Sequence, residues 1–212
     1  ALCTANLPDP VINPAQDDSP EDYFGTLLWT GDGTSSRPIT GLGFQPDMVW
    51  TKRRSGADNH HLFDSVRVVS GVPQRLFPNL TNAEDGNFGS LDSFDSDGFT
   101  IGANTATNAS GQTFVGWSWL AGNGTSSNTD GSITSTVSVN QKAGFSIVSY
   151  TGTGANATVG HGLGVAPSVI IGKNRDTAAR AWNVNHVSTG NIVVLPSNSN
   201  NDLYTKYVYY QK

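Results

Sequence analysis

Shifted by 121 positions, the chain falls on itself without a gap. Phe24 meets Phe145, and Trp29-Thr30-Gly31 meets Tyr150-Thr151-Gly152. Gly33 meets Gly154, Gly41-Leu42-Gly43 meets Gly162-Leu163-Gly164, and Pro46 meets Pro167. Lys52 and Arg54 fall on Lys173 and Arg175, while upstream Asp9 and Ile12 fall on Asp130 and Ile133. One offset held over more than 40 positions is an internal repeat, and its period is too long for a solenoid unit. Each copy is therefore expected to be a domain in its own right. The first copy continues through 93–102 and 113–121, whose counterparts would fall near 214–223 and 234–242, past Lys212. The second copy is thus about 30 residues short: either the chain is a fragment of something longer, the favoured reading, or another segment completes that sheet.

Within each copy the pattern is that of strands joined by tight turns. Gly and Pro number 24 and 10, Ser and Thr 22 and 21, and only 14% of residues are charged. Such a chain is poor in helix formers and rich in turn formers, which excludes a helical bundle. Short alternating runs are read as strands at 24–31, 48–52, 61–69, 99–102, 112–120 and 132–139. Further runs follow at 145–150, 168–172, 182–187, 192–195 and 204–210. Asp97-Gly98, Ser110-Gly111 and Asp130-Gly131 punctuate them at hairpin spacing. The expected fold is all-β, two tandem β-sandwich modules of jelly-roll or lectin-like type. Residues 1–22 would be a linker leaving a preceding domain, 23–121 the first module, 122–143 a connection and 144–212 the truncated second module.

Several function classes drop out on simple grounds. A net charge of −5 and a pI near 5.1 argue against nucleic acid as a partner. One cysteine, Cys3, excludes an intrachain disulfide framework and a Cys-based zinc site. No apolar run approaches the roughly 18 residues of a membrane-spanning helix, and residues 1–14 lack the features of a secretory signal.

The residues with chemical potential are few. Lys52, Arg53 and Arg54 form a basic cluster that Lys173 and Arg175 repeat. Such cations deter edge-to-edge strand pairing, or they contact anionic surface glycans. In Gln112–Leu120 the strand period puts Trp117 and Trp119 on one face with Thr113 and Val115. That pair is either core packing between sheets, the favoured reading where large apolar residues are scarce, or a stacking platform for a sugar ring. Asp92, Asp95 and Asp97 ahead of Gly98 are candidate oxygen ligands for calcium, set against an ordinary hydrogen-bonded turn. His60 and His61 are adjacent, so a strand would turn them to opposite faces rather than onto one metal. A glycan hydrolase needs two carboxylates roughly 5–10 Å apart across a cleft. Here the acidic residues sit in turn-like contexts, so no catalytic centre is expected.

The segments at 29–54 (WTGDGTSSRPITGLGFQPDMVWTKRR), 61–67, 93–102 and 113–119 together resemble a module of bacteriophage virion proteins. That module recurs in long tail proteins, including those of marine and cyanobacterial phages. Residues 145–175 are similar to the same module, and ALCTANLPDP at the start resembles the exit from a preceding lectin-like sandwich. The resemblance implies a structural and host-recognition part of a tail fibre, spike or other adsorption appendage on the virion surface. Its implied partners are further copies in a trimer, other virion proteins and a bacterial surface glycan or receptor, with no cofactor beyond possible calcium. It supplies no catalytic or binding residue. The alternative from another class is a secreted carbohydrate-binding module attached to an enzyme outside this segment.

Overall fold

Runs that alternate small polar with larger apolar side chains become strands through nearly the whole described chain. The computed structural model describes residues 19–86, 88–189 and the backbone of Thr205–Gln211. Cys3, most of the expected linker at 1–22 and the strand expected at 192–195 lie outside the described residues. In chain order the strands are β1 (Phe24–Thr30), β2 (Arg37–Thr40), β3 (Met48–Arg53), β4 (His61–Asp64), β5 (Val68–Val69) and β6 (Val72–Pro73). Next come β7 (Ser93–Asp95), β8 (Gly98–Ile101), a one-turn helix α1 (Thr105–Asn108) and β9 (Thr113–Trp119). The rest are β10 (Ser126–Asn128), β11 (Ser135–Asn140), β12 (Phe145–Thr151), β13 (Val169–Asn174), β14 (Asn183–His186) and β15 (Thr205–Gln211). The fold is all-β, and every strand ladder in it is antiparallel.

Two large sheets dominate. The first has the order β1-β9-β3-β4 and the second β10-β11-β12-β15-β13-β14. β9 runs between β1 and β3 so that Phe24 and Met48 both face Trp119. β15 runs between β12 and β13 so that Phe145 and Val169 both face Gln211. β12 and β13 begin 121 residues after β1 and β3. By that offset the counterpart of β9 was expected near 234–242. The strand that occupies its place is instead β15, at 205–211. Two strands that turn unpaired edges toward one gap need a middle strand, and a connection from β14 shorter than that from β4 to β9 brings it in.

The core is layered. A small sheet, β2-β8-β7, covers one face of the first large sheet. Trp29, Ile39, Val49, Phe63, Phe99 and Phe114 fill the space between them. The Trp29 ring stacks on Phe114 with centroids 5.6 Å apart and meets Phe99 edge-on at 5.8 Å. Its indole N–H donates to the Thr107 carbonyl at 2.9 Å, so the polar atom of this buried ring is satisfied. The other face of the first sheet packs on the second sheet through Met48, Leu62, Leu76, Phe145 and Ile147, with Trp50, Trp119, Ile171 and Trp182 against them. A third cluster, Val137, Val148 and Leu163, lies with Val159 and Ile170 on the remaining face of the second sheet. Each fully buried Phe, Ile or Leu contributes roughly 1.5–3 kcal/mol by leaving water.

Polar ties cross between the sheets. Arg67, fully buried, donates from Nη2 to Asp64 at 2.7 Å and from Nη1 to Glu84 at 2.9 Å. The other Glu84 oxygen accepts from Arg175 Nη2 at 2.6 Å, and the Glu84 amide donates to the Arg175 carbonyl at 2.8 Å. Burial by itself would raise the Glu84 carboxyl, but the Arg175 hydrogen bond and the Arg67 charge hold it below the ordinary carboxylate range. Lys173 donates to the carbonyls of Thr81 and Arg180 at 3.3 and 2.8 Å.

Arg67→Met removes the cation that neutralises Asp64 and shares Glu84. It is expected to lower stability by about 3–5 kcal/mol, the usual consequence of leaving a buried charge unpaired. Arg54→Ala, at an exposed position, should shift it by less than about 0.5 kcal/mol. Urea unfolding of both variants against the parent checks the contrast.

Candidate functional site

The strand register assembles an aromatic and basic patch on the first sheet. Thr26 of β1, Trp117 of β9, Trp50 of β3 and Leu62 of β4 lie side by side in one cross-strand row. Leu28, Val115 and Lys52 form the next row on the same face. The second sheet covers the end of this face near Met48 and Trp119. At the other end Leu28 is 62% exposed, and Trp117, Trp50, His60 and Lys52 are half-buried.

Trp117 meets Trp50 edge-on with centroids 6.3 Å apart, and Trp50 meets His60 edge-on at 5.8 Å. Trp50 Nε1 donates to His60 Nδ1 at 2.9 Å, which leaves the proton of the neutral imidazole on Nε2. Burial, then the Lys52 charge, pushes the His60 pKa down, so the ring is neutral at physiological pH. Lys52 Nζ donates to the carbonyls of Arg53 and Gly56 at 2.6 and 3.2 Å, which anchors the ammonium beside the rings. Chemically this is an apolar shelf with one fixed cation and one neutral imidazole at its border. It suits the C–H face of a sugar ring that carries or neighbours an anionic group.

The residues singled out from sequence separate on this geometry. Lys52 and Trp117 come together. Trp119 joins them only along the strand, since its ring stacks on Phe145 at 6.4 Å in the core between the sheets. Arg53 turns to the opposite face, where it donates to Gln112 Oε1 at 2.6 Å and lies 3.9 Å from Asp58. Arg54 is exposed. Lys173 and Arg175, expected at the surface, are instead interior: Lys173 is 2% exposed and Arg175 is bonded to Glu84. Burial pushes the Lys173 ammonium down to about 8. The difference arises because the loop around Thr81 and Glu84 covers the second sheet's inner face, whereas among the described residues no such loop lies over Lys52.

Nor do the three aspartates converge. Asp97 accepts from the Gly43 and Gly41 amides at 2.6 and 3.2 Å. Asp95 accepts from the Ser93 and Thr100 hydroxyls at 2.7 Å each. Asp92 pairs its amide with the Thr100 carbonyl at 2.8 Å. Among the described residues no three His, Cys, Asp or Glu side chains gather around a cation position. His60 and His61 do face opposite ways. His61 is buried, edge-on to Phe77 at 5.2 Å, with Nδ1 unpartnered.

Sequence reasoning passed over Trp50 and weighed His60 only as a metal ligand beside His61. The signal was present, because Trp50 and Lys52 are two apart on a strand and share a face. The partnership with Trp117 depended on register, which no local pattern carries.

Among the described residues no helix is long and apolar enough to cross a membrane. Comparison with curated proteins and with solved structures returns no significant match.

Burial, chiefly, together with the Arg75 charge, drives the His61 pKa from 6.5 to about 4. The unfolded chain therefore takes up a proton that the folded one refuses between those values. Stability should be full above pH 6.5 and fall as pH drops toward 4, losing about 3 kcal/mol over that window. Denaturant midpoints across that range check this, and His61→Phe should flatten the dependence. A family described as a domain of unknown function, DUF7483, matches residues 19–211, a span that runs through both large sheets, and the chain belongs to that family.

Proposed function

We propose that this chain is a structural and host-recognition component of a phage virion, part of a tail fibre, spike or other adsorption appendage. On this reading it holds two copies of one β-module, and its glycan contact is the exposed end of the first sheet, at Trp117, Trp50, His60 and Lys52. The observation that carries the glycan contact is the register that sets Trp117 beside Trp50, with Lys52 in the next row of the same face. Support for the two copies comes from strands of equal length at one offset and from left-handed glycines at Gly41, Gly43, Gly162 and Gly164. The virion setting rests on the sequence resemblance. A layered β-fold stiffened by buried ionic ties suits a load-bearing appendage, and further copies in a trimer would multiply weak glycan contacts into avidity.

A secreted carbohydrate-binding module would use the same face. The two readings part on location: antibodies against the chain should label the tail of intact phage particles on the first and no particle on the second.

For the contact itself, the chain should bind polysaccharide purified from the host surface, with retention on an affinity gel falling as salt rises. Trp117→Ala should weaken binding about tenfold, in line with the roughly 1–3 kcal/mol of a stacked aromatic contact. Trp117→Ala binding as tightly as the parent would remove this face from recognition.

A further inference from the structure

Between the two large sheets lies a cavity of about 190 Å³. Three indoles, Trp50, Trp119 and Trp182, wall it together with Met48, Phe145 and Ile171. Among the described residues, all that line it carry hydrocarbon, thioether or aromatic side chains. Trp50 Nε1 is spent on His60 and Trp182 Nε1 on the Phe77 carbonyl, each at 2.9 Å. Two of the three indole donors are thus spent, and that of Trp119 remains.

An apolar cleft of this kind, open to solvent on one side, ordinarily narrows as the surrounding elements move together. Here the separation of the sheets is set by directional bonds at the side of the cavity. Glu84 joins Arg67 to Arg175, Lys173 reaches the Thr81 carbonyl, and Trp182 is held to Phe77. These ties keep the space open in the folded state. Val184, 54% exposed, stands at its border and marks the way in from solvent.

We propose that this cavity is a binding site for a small uncharged molecule built on one aromatic ring. An engineered apolar cavity of about 150 Å³ holds benzene, so this one has room for a ring with a small substituent. A flat ring gains contact with the indole faces and with the Met48 sulfur. Among the described residues only the Trp119 indole N–H is left to meet a sugar's several hydroxyls, so their desolvation disfavours it. The site is therefore distinct in chemistry from the proposed glycan face. Because its two walls belong to different sheets, the ligand stabilises their contact and binds only the folded chain.

Toluene and a methyl hexoside serve as probes on the whole chain, read by thermal unfolding and by tryptophan emission. Toluene should raise the melting temperature saturably, by about 2 °C or more, and shift the emission. The hexoside should leave both unchanged in the same concentration range. Ile171→Phe fills the cavity and should abolish the toluene response, and Val184→Phe, at the border, serves if the first variant does not fold. Either of two results overturns the proposal: no response of the parent chain up to aqueous saturation with toluene, or an undiminished response in a folded, filled variant.

Discussion

The meeting of the two large sheets is the constraint on which the rest of the molecule depends. One face of the first sheet closes against β2, β7 and β8, and that interface is a conventional apolar core. The second sheet covers the Met48 and Trp119 end of the first sheet's other face. The seam combines an apolar centre with an ionic flank, and Glu84 is the hinge of that flank because it neutralises two arginines from different parts of the chain. Buried ion pairs are weak sources of net stability, since desolvation offsets most of the attraction. Their contribution here is registry. The pairing of Glu84 with Arg175, in side chain and backbone, allows one placement of the loop over the second sheet.

Carboxylates elsewhere do similar work on the backbone. Asp47 is fully buried between the first sheet and the segment leaving β9. It accepts from the Ser65 hydroxyl and from the Ala121 and Asn123 amides, at 2.5, 2.8 and 2.9 Å. Asp97 holds the 41–43 turn in the same manner. The neighbouring Gly98 has φ 151°, and an added Cβ would stand 2.0 Å from the Ile39 carbonyl oxygen. Only glycine lets β2 and β8 approach as they do. Of the three aspartates that suggested a calcium site by their spacing, Asp95 and Asp97 thus have carboxylate oxygens that accept from the protein itself.

Much of the fold was legible before any tertiary contact was known. The runs at 24–31, 48–52, 99–102, 112–120 and 145–150 all became strands within a residue or two, because period-two alternation is a local property. β2, which contains Pro38, and the short polar β10 were passed over, since neither offers the alternation or the β-branched content that marks a strand. The run at 61–69 broke after Asp64, where its carboxylate accepts from the Val66 and Arg67 amides and turns the chain. Of the candidate patch, Lys52 and Trp117 were read from sequence, whereas Trp50 joined it through the pairing of β3 with β9, and His60 through its hydrogen bond with Trp50.

By itself the sequence determined the all-β class, the positions of most strands and turns, and the opposite facing of Phe114 and Trp117, each of which follows from dihedral preference and side-chain alternation. Only the tertiary structure decided which strand would close the second sheet and which cations would be buried. Lys52 and Lys173 are each the fifth residue of a six-residue strand, yet one borders an open patch and the other is sealed against the Thr81 and Arg180 carbonyls. The distinction is set by groups far away in the chain, with Glu84 91 residues from Arg175. Burial is a property of what the fold brings over a residue, and no window of sequence around that residue contains it.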